Sequence, residues 1–200
     1  MKRHWHLTLP LLLVLACMAT RWPGVLPYNF SAVYALAFCG AIYFQGKLGW
    51  WLPLAALLVS DVVLNVAYYK VSPFDPYLLV KLLACLAIVA LAKFFFSPAT
   101  RWFKIVGGGI LAALIFYFVT NSASWWYDPG YPKTLAGWIQ ALTVGLPGYP
   151  PTWEFFRSTL LSGGLFAGLF AGAMKLSPAA EEEEQTEEEP EPENASPEEA

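Results

Sequence analysis

The hydrophobic pattern of the chain consists of six apolar runs separated by polar or aromatic connections. A helix needs about 20 predominantly apolar residues to cross the roughly 30 Å hydrocarbon core of a bilayer. We therefore predict six transmembrane helices, over residues 5–20, 30–44, 50–69, 77–95, 105–120 and 155–176.

Composition supports a membrane protein. Hydrophobic residues make up 57% of the chain and charged residues only 14%, whereas charged residues average about 25% in soluble domains. The predicted fold class is all-α: a polytopic integral membrane bundle over residues 1–178 in contact with the lipid bilayer. Nucleic acid is not expected as a partner.

Residues 179–200 differ from the rest of the chain because glutamate dominates them and aromatic residues are absent. Such a segment cannot bury enough apolar surface to fold. We predict a disordered acidic tail in the cytoplasm. The alternative is that the tail binds a basic partner or the basic loops of the bundle.

The distribution of lysine and arginine predicts the orientation of the bundle, because basic residues accumulate in cytoplasmic connections. Seven basic residues lie at the N-terminus, in alternate connections and at the C-terminal flank, against three in the opposite loops. Both termini are therefore predicted to be cytoplasmic, in a multi-pass protein of the bacterial cytoplasmic (inner) membrane. The seven are Lys2, Arg3, Lys47, Lys93, Arg101, Lys104 and Lys175, and the three are Arg21, Lys70 and Lys133.

The first run also has the basic start and short apolar core of a signal peptide. Cleavage there would leave five spans and would place the two ends on opposite faces of the membrane. This alternative remains open from the sequence.

Polar side chains inside the predicted spans indicate a binding site, since an ionisable group at membrane depth persists only where a partner or cavity compensates it. Asp61 lies about midway along the third span, with Asn65 one turn later on the same face. The polar groups concentrate in the outer half, which favours a pocket open to one side. The predicted ligand-binding residues are Arg21, Asn29, Asp61, Asn65, Lys81, Asn121, Trp125, Trp126, Tyr131, Glu154 and Arg157.

A structural role is the alternative for the same residues. Asp61 could form an internal ion pair with Lys81 or Arg21 that fixes helix packing. The asparagines could be interhelical hydrogen-bonding groups, each worth about 0.6–2 kcal/mol.

Two further segments have a predicted role. The long connection 121–151 is predicted to form a lid, with a short amphipathic helix within 134–148. Glycines at four-residue intervals in the sixth span form a small-residue stripe that admits another helix backbone, and a helix of this chain is favoured over a partner's. Residues 107–109, three consecutive glycines, have the same predicted role. The stripe consists of Gly164, Gly168 and Gly172.

The sequence contains no motif for nucleotide hydrolysis, no nucleophile motif and no Cys/His metal pattern. We therefore expect no enzymatic activity, no cofactor and no metal site.

Four segments together resemble a family of small bacterial membrane proteins of unassigned function: "RWPGVLPYNFSAVYALAFCG", "PLAALLVSDVVLN", "FYFVTNSASWWYDPGYPKTLAGW" and "FFRSTLLSGGLFAGLF". That family is similar in its six-helix layout to the substrate-binding S components of energy-coupling factor vitamin transporters. The resemblance implies a small organic solute as ligand and energising transmembrane or ATPase subunits as partners. It rests on Asn29, Phe30, Ser60, Asp61, Thr120, Asn121, Trp125, Tyr131, Thr134, Gly137, Phe155, Phe156 and Thr159.

The leading hypothesis is a transport component that captures a small organic solute in an outward-facing cavity, with Asp61, Lys81 and Arg21 setting charge complementarity. A second hypothesis is an assembly protein that binds partner subunits through its glycine stripe and acidic tail. A third is an intramembrane enzyme that uses Asp61.

Overall fold

The computed structural model describes residues 12, 15, 18–44 and 46–188, and side chains as far as Leu176. Most of the first predicted span and the end of the acidic tail lie outside these residues. All named elements in the described part of the chain are helices. They are α1 (Val33–Tyr43), α2 (Leu48–Val63) with a π-helical continuation (Leu64–Tyr69), α3 (Pro76–Phe95), α4 (Trp102–Tyr127), α5 (Leu135–Thr143) and α6 (Thr152–Glu188).

Four helices are long and apolar enough to cross a membrane. They correspond to the third to sixth predicted spans. Helix α1 has only 11 residues and is therefore about 16 Å long at 1.5 Å per residue, too short to cross a bilayer alone. The candidate spans are Leu48–Tyr69, Pro76–Phe95, Trp102–Tyr127 and Thr152–Leu176.

Helix α1 is the centre of the bundle. It contacts α2, α3, α4 and α6, and all of its residues except Tyr43 are buried. A helix that is apolar on every side is stable only when other elements surround it. Small residues allow this close approach, as where the ring of Phe38 packs against Gly108. The second predicted span is therefore an internal core helix.

Helix α2 is irregular on both sides of Asp61. Pro53 lies inside the helix and lacks the N–H that would bond to the preceding turn. After Val63 the chain widens into a π-helical turn. This turn ends at Lys70, whose φ of 56° is left-handed and whose N–H donates to the carbonyl of Asn65. Such π turns occur frequently at functional sites.

Helices α4 and α6 make the most extensive helix contact of the described structure. Their backbones meet at small residues, since a Cβ added to Gly109 would lie 2.7 Å from the carbonyl oxygen of Gly163. A Cβ added to Gly163 would in turn lie 2.6 Å from the side chain of Ala113. Close internal packing through glycine thus occurs, but it centres on Gly163 and Gly109.

Helix α6 continues through residues 179–188, where the sequence predicted a disordered tail. Alanine, glutamate and glutamine are strong helix formers. A preceding helix already supplies the nucleus that an isolated segment would have to form.

The three consecutive glycines give a matched test of this packing. Gly109→Ala should destabilise the protein by about 1–3 kcal/mol, because the new methyl group overlaps the α6 backbone. Gly107→Ala should be neutral or stabilising by up to about 1 kcal/mol, because no atom lies within 4 Å of its Cβ position. Unfolding in mixed detergent micelles measures both variants. Equal changes in the free energy of unfolding for the two variants would contradict the close packing of α4 on α6 at Gly109.

Candidate functional site

A cavity of about 610 Å³ opens at one end of the bundle. Its walls come from the segment that precedes α1, the start of α1, the second half of α2 with its π-helical continuation, the beginning of α3 and the middle of α4. Pockets of about 300–1,000 Å³ are typical of small-molecule sites. Five of the predicted site residues line this cavity: Arg21, Asn29, Asp61, Asn65 and Lys81.

Asp61 lies within the apolar span and away from its ends. It precedes the last residue of the span Leu48–Tyr69 by eight positions, which corresponds to about 12 Å along the helix. Its side chain is 2% exposed. A carboxylate at this depth requires compensation by cations and hydrogen-bond donors.

Two cations from different segments supply that compensation. Lys81 Nζ lies 2.6 Å from one carboxylate oxygen of Asp61, and the guanidinium of Arg21 pairs with the other. Arg21 also donates to the hydroxyl of Ser60 and to the carbonyl of Leu57 at 3.4 Å. The cluster therefore joins the segment before α1 to α2 and α3. Both predicted pairing partners of Asp61 are used.

The charges of this cluster do not cancel. Two cations face one carboxylate, so the formal sum over Arg21, Lys81 and Asp61 is +1. The Lys81 and Arg21 side chains keep 25% and 15% exposure. The excess positive charge is therefore accessible from the cavity.

Asn65 connects the cavity to the N-terminus of α3. Its amide nitrogen donates to a carboxylate oxygen of Asp75 at 3.1 Å. The other oxygen of Asp75 accepts from the backbone N–H of Leu78 at 2.9 Å and caps α3. Both carboxylate oxygens of Asp75 therefore accept hydrogen bonds from donors outside the charged cluster. Its carboxylate makes no ion pair with Lys81 or Arg21 among the described contacts.

Aromatic rings that the sequence interpretation did not assign to the site form the cavity rim. Trp22 and Tyr68 make an edge-to-face contact at 6.1 Å, and Tyr68 makes another with Tyr69 at 5.1 Å. Their positions carry a signal that was available. Tyr68 and Tyr69 follow Asp61 by seven and eight positions, a spacing that in a regular α-helix predicts one shared face.

Asn29 lies at an exposed position of the cavity wall, on backbone with a left-handed φ of 57°. Asparagine tolerates this conformation better than most residues. Its carbonyl accepts a hydrogen bond from the hydroxyl of Tyr34 at 3.4 Å, which ties the loop to α1.

Asn121, Trp125 and Trp126 lie on α4, which runs seven residues beyond the predicted span. Asn121 bonds within its own helix, to the carbonyl of Tyr117 at 2.8 Å. The indole of Trp125 donates to the carbonyl of Pro132 at 2.8 Å, and Trp126 is 66% exposed. None of the three lines the cavity.

The predicted helix within 134–148 is α5, and Thr134 caps it by accepting from the N–H of Gly137 at 3.2 Å. It packs on α4 and α6. No residue of 121–151 lines the cavity, so the prediction of a lid over it is wrong. Helix α5 therefore lies against α4 and α6 and does not extend across the cavity.

Tyr131 belongs to the connection between α4 and α5. Burial, together with the Asp128 carboxylate and the Tyr77 hydroxyl, raises the pKa of the Tyr131 phenol. Lys133 Nζ donates to the carbonyl of Asp128 at 2.6 Å. The polar residues of this connection therefore cap the end of α4.

Glu154 and Arg157 line a second, smaller cavity of about 340 Å³. Pro27 and Tyr28 belong to the walls of both cavities. The two predicted residues thus line an adjoining cavity and do not belong to the charged cluster.

The glycine stripe faces α4 in part. A Cβ added to Gly164 would lie 3.1 Å from Ile110, and the Trp102 indole donates to the carbonyl of Gly168 at 3.0 Å. The Cβ position of Gly172 has no atom within 4 Å. Separately, the described residues contain no group of three side chains that could hold a metal ion.

The charge imbalance predicts unequal effects of neutralising its members. Asp61→Asn should destabilise the protein by about 3–5 kcal/mol, because it leaves two partly buried cations without a counter-charge. Lys81→Met should cost only about 1 kcal/mol, because the remaining pair of Asp61 and Arg21 is neutral. Unfolding in mixed detergent micelles measures the free energy of unfolding of both variants. A larger loss for Lys81→Met would contradict the assigned net charge.

Comparison with known proteins gives a family and no established function. No curated protein and no solved structure matches the chain. The family described as "Family of unknown function (DUF6580)" matches residues 1–186. No similarity to the S components of energy-coupling factor transporters is shown. Since the match covers nearly all of the 200 residues, the chain belongs to this family of unknown function.

Proposed function

We propose that this protein binds a small organic solute in the cavity around Asp61, as a component of transport across the bacterial inner membrane. One observation carries the proposal: a cavity of about 610 Å³ is lined by a charged cluster within the apolar bundle. Ionisable residues at this depth typically mark substrate or ion pathways.

The arrangement favours binding over a purely structural ion pair. A structural pair is most stable when it is neutral and closed off from other ligands. Here the cluster has an additional cation, and Lys81 is 25% exposed. Packing alone requires neither feature.

The basic residues at the opposite end of the bundle support an outward-facing cavity. The cavity lies where α2 ends and α3 begins. The connections at that end carry three basic residues, Arg21, Lys70 and Lys133, against five lysines and arginines at the other end. Lys175, one of these, donates to the carbonyl of Pro98 at 3.1 Å and so lies at that end. By the positive-inside rule this end faces the cytoplasm. The five are Lys47, Lys93, Arg101, Lys104 and Lys175.

Contacts of the glycine stripe within the chain disfavour an assembly role for it. Gly164 and Gly168 lie against α4 of the same chain, so these positions do not offer a surface to another subunit. Solute capture without a nucleotide-binding motif requires energy from elsewhere. Energising membrane or ATPase subunits are the partners that this function calls for.

Native mass spectrometry of the full chain, extracted in lipid nanodiscs, tests solute binding directly. We expect a bound small molecule in addition to lipid. Leu26→Trp should reduce its occupancy at least about threefold, because a larger side chain then takes up space in the cavity. Leu26 is a loop residue of the cavity wall, so the substitution leaves the helices intact.

Leu135→Trp is the matched control, because Leu135 is 69% exposed and outside the cavity. Its solute occupancy should equal that of the unmodified protein. An empty unmodified protein, or equal loss in both variants, would refute a solute site in this cavity.

A further inference from the structure

We propose that the solute is an organic monoanion, bound through a carboxylate or an equivalent singly charged group beside Lys81. This inference rests on the proposed function and specifies the class of ligand. It follows from the charge of the cavity, the hydrogen bonds still available there and the chemistry of the walls.

The first step is charge balance. Arg21, Lys81 and Asp61 sum to +1, and uncompensated charge at low dielectric is unfavourable. A monoanion brings the cluster to neutrality. A cation raises the imbalance to +2, and a dianion reverses it to −1. Charge alone therefore favours a single negative charge.

The second step concerns available donors. The guanidinium of Arg21 is held by three acceptors, on Asp61, Ser60 and Leu57. Arg21 thus retains two of its five N–H donors, and Lys81, which directs one of its three to Asp61, also retains two, so exposure decides between them. Lys81 is the more exposed of the two cations. The anionic group therefore binds at Lys81, while Arg21 holds Asp61 in place.

The third step concerns the body of the ligand. Trp22, Tyr68 and Tyr69 form a connected aromatic rim, and Phe30 and Phe116 lie in the wall. Aromatic rings offer large apolar surfaces and specific edge and face contacts. These walls suit a carbon-rich or flat group attached to the anion better than a small inorganic ion.

The test uses three probes of nearly equal shape: benzoate, benzamide and benzylammonium. The full chain is held in phosphatidylcholine nanodiscs, and binding is measured by saturation-transfer difference NMR. We expect benzoate to bind at least about tenfold more tightly than benzamide, since a hydrogen bond between two charged groups is stronger than one to a neutral amide. Benzylammonium should bind more weakly than benzamide.

Three lysine variants assign the preference to the cavity. Lys81→Met should weaken benzoate binding about tenfold and leave benzamide binding within about twofold. Lys81→Arg keeps the charge and should retain the preference for benzoate. Lys93→Met is the matched control, because Lys93 lies on the same helix, outside the cavity, and donates to the carbonyl of Phe44. Its probe binding should not change.

An acidic phospholipid headgroup is a second source of the same monoanion. Repeating the titration with phosphatidylglycerol in the nanodiscs distinguishes the sources. A soluble solute is indicated if benzoate binds equally in both lipids. Phosphatidylglycerol that copurifies with the protein, blocks benzoate and is lost in Lys81→Met identifies a lipid monoanion.

The outcomes separate this inference from the function on which it rests. If benzamide binds as tightly as benzoate, or Lys81→Met leaves the preference unchanged, the cavity binds solutes but the anion inference is wrong. If no probe binds and native mass spectrometry finds neither solute nor acidic lipid, the proposed function itself is wrong.

Discussion

The constraint on which the site depends is the need to compensate one carboxylate inside an apolar helix bundle. Asp61 is almost fully buried, and it brings together a lysine from α3 and an arginine from the segment before α1. Without these cations the carboxylate would be strongly unfavourable at that depth. The same contacts fix three chain segments around a space that no side chain fills. The cavity and the ion cluster are therefore one structural feature.

The rest of the bundle supplies a rigid frame for that feature. Helix α1 is buried among four neighbours, and its packing relies on small residues that let backbones and rings approach closely. The crossing of α4 and α6 at Gly109 and Gly163 has the same character. These contacts are apolar and tightly packed. The polar half of the molecule is thus held by an apolar half that leaves little freedom for rearrangement.

Sequence patterns predicted the residues whose chemistry conflicts with their surroundings. Asp61 and Lys81 were identifiable because a charge within an apolar run has few explanations. Asn121 was a weaker indicator, since an asparagine on a helix can bond to its own backbone, as it does to the carbonyl of Tyr117. The helical spacing of Tyr68 from Asp61 was a weaker signal still, and Trp22 gave none, because aromatic residues near the end of a span are also common as interface anchors.

The irregularities of α2 have a mechanical consequence. Pro53 precedes Asp61 and the π-helical turn follows it, and both kinds of feature are places where helices bend. The intervening segment has regular helical geometry and carries the carboxylate. Its ion pairs with Arg21 and Lys81 therefore hold the segment between the two bends at a fixed angle to α3 and to the chain before α1.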